Sequence, residues 1–80
     1  MTENPTQEDY NKALLGLRNT MDGLESAIYE LSRADSYLTQ YKEPYNIFYQ
    51  DYGDVKSLLR VTLGECLRLH GKIQIRSVME

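Results

Sequence analysis

Residues 10–38 read YNKALLGLRNTMDGLESAIYELSRADSYL, and this stretch decides the fold class. Its large apolar side chains recur at alternating intervals of four and three residues. They are Tyr10, Leu14, Leu17, Met21, Leu24, Ile28, Leu31 and Leu38. This heptad spacing is typical of an amphipathic helix with one apolar stripe. Asp35 is the polar interruption, and a polar residue at such a position costs stability but can fix the register of helix pairing.

Two prolines bound the segment. Pro5 suits the first turn of a helix, with Asn4 or Thr6 as alternative N-caps. Pro44 disfavours helical geometry at the residue before it. We therefore predict a first helix over about 5–41.

A second heptad pattern follows a turn predicted at 42–44. Its members are Phe48, Tyr52, Val55, Leu59, Thr62, Cys66, Leu69 and Ile73. We predict a second helix over about 45–70, with Gly53 as a kink and Gly71 as a C-cap. The tail, 71–80, alternates like a strand but has no strand to pair with, so it is either a frayed helical extension or an intermolecular arm.

The second helix carries more apolar surface than one antiparallel neighbour covers, about half of its circumference at 100° per residue. The expected fold is therefore all-α, with 1–80 forming a single antiparallel two-helix hairpin domain. That hairpin should self-associate, as a homodimer or larger, into a four-helix bundle or larger helical oligomer. The oligomer seam is predicted at Leu17, Leu24, Leu31, Leu58, Leu63 and Leu67.

A stripe of small residues runs beside the first apolar stripe, at Ala13, Gly16, Thr20, Gly23, Ala27 and Ala34. Glycine inside a helix costs about 1 kcal/mol relative to alanine. A partner helix that approaches closely would compensate for this cost. The alternative is two tolerated glycines on a solvated face.

Composition excludes several classes of function. The chain has 80 residues, one cysteine, one histidine and a net charge of −3. An internal disulfide and a structural zinc site are excluded, and bulk-charge binding of duplex DNA is disfavoured. No apolar run is long enough to span a membrane, and the N-terminus lacks a signal pattern, so we expect a cytoplasmic protein without a membrane partner.

No catalytic or cofactor motif is present. Cys66 and His70 lie four residues apart on one helix face. Both fall within the apolar arc, where a buried thiol and a satisfied histidine are ordinary. We expect no catalytic residue, no metal site and no cofactor.

Aromatic residues concentrate around the turn. This tyrosine cluster comprises Tyr37, Tyr41, Tyr45, Phe48, Tyr49 and Tyr52. Tyrosine is enriched at binding hot spots because it buries a large area at low entropic cost. Tyr41, Tyr45, Phe48, Tyr49 and Tyr52 are the predicted partner-binding residues. The alternative is that these rings close the end of the bundle.

A basic series at multiples of four residues is the second candidate site. Lys56, Arg60, Arg68 and Lys72 are predicted to bind an anion. The alternative is a solvated face balanced by acids on the first helix, with Glu30 near Lys56 and Glu25 near Arg60.

These patterns favour a small non-catalytic interaction protein that oligomerises. It would bind and modulate a macromolecular partner, in the first place a protein, by inhibiting or adapting it. Small regulators and phage or plasmid accessory proteins are the comparable class. The alternative is an oligomeric small-ligand binder that holds an anionic nucleotide between subunits with tyrosines and basic residues.

Overall fold

The computed structural model describes residues 4–40 and 48–79, apart from the side chain of Thr39. Two helices form, α1 over Gln7–Thr39 and α2 over Tyr49–Met79. They pack against each other, and the described residues contain no strand. The prediction of two packed helices is confirmed, and the predicted turn at 42–44 lies outside the described residues.

The two helices run antiparallel in an elongated rod. Asp35 of α1 contacts Lys56 near the start of α2, whereas Asn11 near the start of α1 lines a groove with His70. The chain measures 59 × 20 × 14 Å, with a radius of gyration of 18.3 Å. A compact chain of this length would have a radius of gyration of about 12 Å. The hairpin is therefore a single layer of helices.

A capping box starts α1. Thr6 is the N-cap, and its side chain accepts a hydrogen bond from the Asp9 N–H at 3.2 Å. The Asp9 carboxylate accepts in return from the Thr6 N–H at 3.0 Å. Two amide groups that helix geometry leaves unpaired are thereby satisfied. Of the two predicted starts, the one at Thr6 is correct.

The predicted apolar stripe of α1 is its contact face. Every member of the stripe is half-buried, while most other α1 residues are exposed. Asp35 is also half-buried, at the position where it interrupts the stripe. Ala27 and Ala34 are half-buried beside the stripe, so the contact face widens toward those small residues.

The contact face of α2 is rotated relative to the predicted heptad pattern. Its residues recur at intervals of four and three and are at least half-buried: Tyr52, Lys56, Leu59, Leu63, Cys66, His70, Ile73 and Ser77. Only half of these belong to the predicted set, and Val55, Thr62 and Leu69 are exposed. The apolar arc of α2 is broader than one helix covers, so its sequence pattern alone did not decide which side meets α1.

A charged pair lies inside the contact face, and it is brought together by this rotation of α2. The Lys56 Nζ lies 3.7 Å from the Asp35 Oδ2, and each side chain is only 18% exposed. A charge in this partly dry seam is costly unless it is paired. The contact between Lys56 and Asp35 lowers that cost for both residues, while the other Asp35 carboxylate oxygen, Oδ1, is buried without a hydrogen-bond partner.

The ion pairs predicted between the helices are wrong. Lys56 pairs with Asp35 instead of Glu30, and Glu30 pairs with Arg33 on its own helix at 3.5 Å. The predicted pair of Glu25 with Arg60 is likewise absent from the described residues. Glu25 and Glu30 are exposed outside the contact face, so they point away from α2.

The glycines of α2 do not interrupt it. The helix is continuous through Gly53 and Gly71 as far as Met79, so the predicted helix end near residue 70 is wrong, and of the two interpretations of the tail the helical extension is correct. Ile73 and Ser77 continue the contact spacing and are half-buried and buried, respectively. Packing of this last segment against α1 outweighs the glycine cost of about 1 kcal/mol.

No described apolar residue is buried, and Ser77, which is 7% exposed, is the one described residue that is. One helix covers only one side of another, so the other contact-face residues remain partly exposed. The fold therefore leaves most of its large apolar side chains in contact with solvent.

Capping prediction. Asp9→Ala should lower the melting temperature by a few degrees at pH 7. The hydrogen bond from the Thr6 N–H, followed by that from the Thr6 hydroxyl, lowers the pKa of Asp9 from its ordinary value of 3.8. A carboxyl with a depressed folded-state pKa stabilises the protein above its unfolded pKa and loses that effect as pH falls through the folded value. The difference in melting temperature from wild type should therefore shrink below about pH 4.

Glu8→Ala is the matched control, because Glu8 is in the same helical turn and pairs with Lys12 rather than with the cap. If Glu8→Ala lowers the melting temperature at neutral pH as much as Asp9→Ala does, the capping role of Asp9 is contradicted.

Ion-pair prediction. Asp35→Leu alone should destabilise the protein by roughly 2 kcal/mol, because the Lys56 ammonium then lies unpaired in the contact face. Asp35→Leu combined with Lys56→Leu should recover wild-type stability or exceed it, since apolar side chains replace the charges. Urea unfolding of the single and double variants measures the effect. If the double variant instead loses as much unfolding free energy as the two single variants together, the two residues do not stabilise each other as a pair.

Candidate functional site

The described members of the tyrosine cluster lie at one end of the rod. Tyr37 is in the last turn of α1, Phe48 immediately precedes α2, and Tyr49 is its first residue. Their side chains are 60%, 47% and 61% exposed, respectively. The Tyr52 N–H donates to the Phe48 carbonyl at 3.0 Å, which fixes the first turn of α2 beneath these rings.

Tyr52 behaves differently from its neighbours. It is half-buried on the contact face of α2, so packing against α1 occupies part of its ring. Tyr41 and Tyr45 lie outside the described residues. The structure therefore leaves Tyr37, Phe48 and Tyr49 exposed at the same end of the rod, and we term these three residues the aromatic tip.

An apolar groove lies beside the aromatic tip. Its volume is about 420 Å³, and it is lined by Leu31, Leu38, Phe48, Asp51, Tyr52 and Val55. Asp51 is the one charged residue in that lining. A groove of this character accepts an apolar side chain or the edge of a helix, and it offers few groups that would orient a small polar substrate.

The predicted oligomer seam divides between two environments. Leu17, Leu24, Leu31 and Leu63 are half-buried on the contact faces, so they hold the hairpin itself together. Leu58 and Leu67 are 68% and 58% exposed. They lie on different sides of α2, because nine residues correspond to a rotation of about 180°.

The predicted anion-binding residues do not form one patch. Lys56 is in the contact face with Asp35, and Arg68 donates to Glu65 at 2.6 Å. Each step of four residues turns about 40° around a helix, so Lys56, Arg60 and Lys72 point in different directions. Arg68 and Lys72 do line a shared groove of about 290 Å³, together with Thr62, Glu65, Cys66 and Leu69.

Cys66 and His70 are both half-buried on the contact face of α2. Cys66 is a free thiol. No group of three potential metal ligands occurs among the described residues. These two residues therefore serve the packing of α2 on α1.

The small-residue stripe of α1 is open over most of its length. A Cβ added at Gly16 or at Gly23 would meet no atom within 4 Å. The predicted close neighbour of these glycines is therefore not α2. Only Ala27 and Ala34 from this stripe border the contact face.

Neither described helix is long and apolar enough to cross a membrane. Comparisons with family models, with curated proteins and with solved structures found no match. The candidate sites therefore rest on the geometry of this chain alone.

Nucleotide prediction. Millimolar ATP should leave the melting temperature unchanged within about 1 °C, because the basic residues diverge around α2 and Arg68 is already engaged by Glu65. A ligand present at 100 times its dissociation constant stabilises a protein by about 2.7 kcal/mol, which is several degrees for a chain of this size. A rise of that size that disappears in Lys72→Ala would contradict this assignment and favour the nucleotide-binding alternative.

Proposed function

We propose that this chain is a small non-catalytic helical interaction protein that oligomerises and binds a macromolecular partner, in the first place a protein. Its effect on the partner would be modulation by inhibition or adaptation. The observation that carries the proposal is the aromatic tip, in which Tyr37, Phe48 and Tyr49 are exposed beside an apolar groove.

The aromatic tip has the composition of a binding hot spot. Tyr49 lies outside the contact face and is 61% exposed, so packing between the helices leaves most of its ring free for a partner. Truncation of a hot-spot side chain typically costs 2 kcal/mol or more of binding free energy, about thirtyfold in affinity. A ring that only closed the end of the hairpin would be more deeply buried.

The non-catalytic part of the proposal rests on the shape of the chain. The rod is one layer of helices. Its grooves are open to solvent, and each is lined either by both helices or by one helix alone. General acid and base groups are efficient where a pocket excludes water and holds a substrate. Cytoplasmic location remains part of the proposal, supported by the single free thiol of Cys66.

Nucleotide binding between subunits is the second candidate function. The groove lined by Arg68 and Lys72 favours it. The Arg68 pair with Glu65 at 2.6 Å weighs against it, because a phosphate must compete with that carboxylate. We therefore place partner binding by the aromatic tip first.

Partner-binding prediction. Tyr49→Ala should reduce partner capture about thirtyfold and leave the melting temperature within about 1 °C of wild type, because the ring is exposed outside the contact face. The measurement combines affinity purification from the native host, with quantification of co-purifying proteins, and thermal melting of the same variants.

Tyr29→Ala is the matched control. Tyr29 is 63% exposed on α1 but lies away from the aromatic tip, with its ring under the Arg33 guanidinium at 5.9 Å. It should leave capture unchanged. Equal capture by wild type and Tyr49→Ala, or equal loss in the two variants, would contradict a binding role for the aromatic tip.

A further inference from the structure

An exposed apolar stripe on α2 remains after α1 has docked. Phe48, Val55, Thr62 and Leu69 are seven residues apart, so they form one line along the helix. Leu58 lies next to this line. Phe48, Val55, Leu58 and Leu69 are 47%, 44%, 68% and 47% exposed. We call these five residues the α2 stripe.

The α2 stripe lies on only one of the two sides of the hairpin. On that side, Phe48 and Val55 share an apolar groove with Leu31 and Leu38 of α1. The groove on the other side contains polar groups from both helices, namely Asn11, Arg18, His70 and Gln74, beside Leu14 and Leu15. The groove lined by Leu31, Leu38, Phe48 and Val55 is thus the more apolar of these two. Farther along α2, Thr62 and Leu69 of the stripe share a groove with Glu65, Arg68 and Lys72.

The chain exposes more surface than a compact monomer of its mass, which leaves enough area for a dimer interface. The chain exposes 6395 Å². A folded monomer of 9.3 kDa exposes about 5,000 Å², so the excess is about 1,400 Å². A stable protein interface takes about 800 Å² from each partner. The excess therefore exceeds the area that one copy contributes to a stable dimer.

Charges beside the α2 stripe make it complementary to itself. Asp51 and Lys72 are exposed, on the same side of the stripe as Leu58, and 21 residues apart. Within the described residues, no salt bridge involves either of them. If two α2 helices pack antiparallel with Thr62 on the dyad, Asp51 of each copy meets Lys72 of the other.

We propose that the α2 stripe is a homodimer interface, in which two copies pack antiparallel, α2 against α2, around a dyad at Thr62. Val55 of one copy then packs against Leu69 of the other. The interface closes a four-helix bundle and covers the groove between Val55 and Leu31. This inference rests on the self-association in the proposed function and specifies its face, direction and register.

Disulfide trapping tests the register directly. In a Cys66→Ser background, Thr62→Cys places the introduced thiol beside its own copy at the dyad. Mild oxidation should convert most of this variant to a covalent dimer at micromolar concentration. Ser57→Cys in the same background is the matched control, because Ser57 is exposed and nearly opposite to the stripe on α2. It should remain mostly monomeric on denaturing gels.

Charge reversal tests the direction independently. Asp51→Lys and Lys72→Asp should each weaken dimerisation about fivefold or more at low salt, and the double variant should restore it. Sedimentation equilibrium measures the dissociation constants, and circular dichroism confirms that the variants are helical. Because these residues are exposed, the substitutions leave the hairpin contact intact.

The outcomes separate this inference from the proposed function. Trapping at Thr62 together with rescue by the double charge variant supports the interface. A dimer that is not trapped at Thr62, or not rescued, overturns the face and register while self-association stands. A chain that sediments as a monomer overturns the interface, and in that case capture that depends on Tyr49 still decides partner binding by itself.

Discussion

The pairing of Asp35 with Lys56 is the constraint on which the arrangement of the helices depends. Each helix is amphipathic, but apolar packing alone is tolerant of rotation and sliding, because leucine-rich stripes fit one another in several registers. The Asp35 carboxylate and the Lys56 ammonium, both 18% exposed, do not tolerate such changes of register. In another register, either charge would lie unpaired between the helices. The pair therefore fixes both the register and the side of α2 that meets α1.

The thinness of the rod follows from having only two helices. A side chain on the contact face is covered by the opposite helix and open at its flanks, so no described apolar residue becomes fully buried. In a globular domain, further layers would cover those flanks. Here the flanks remain as grooves, and the larger apolar side chains beside them are available for association.

The two surfaces for association share Phe48 and otherwise occupy different parts of the rod. In the aromatic tip, Tyr37 of α1 and Tyr49 of α2 are exposed at the same end of the rod. The α2 stripe runs along the side, away from the Asp35 and Lys56 pair. A dimer formed through the α2 stripe would cover Phe48 and the groove beside it, and would leave Tyr37 and Tyr49 of each copy for a partner. An antiparallel dimer would present the two tips at opposite ends of the bundle.

The sequence by itself determined the two helices and the contact face of α1, because heptad spacing acts within a few residues, and it left Asn4 and Thr6 as alternative N-caps, of which the structure has Thr6. It determined neither the end of α2 at Met79 nor which face of α2 contacts α1. The helix end depends on tertiary packing, because packing of Ser77 against α1 outweighs the cost of Gly71 only once the helices meet. The tertiary structure also decided which residues are exposed. Half of the predicted α2 heptad faces solvent because burial of Lys56 depends on Asp35, which is distant in sequence and adjacent only in the folded hairpin.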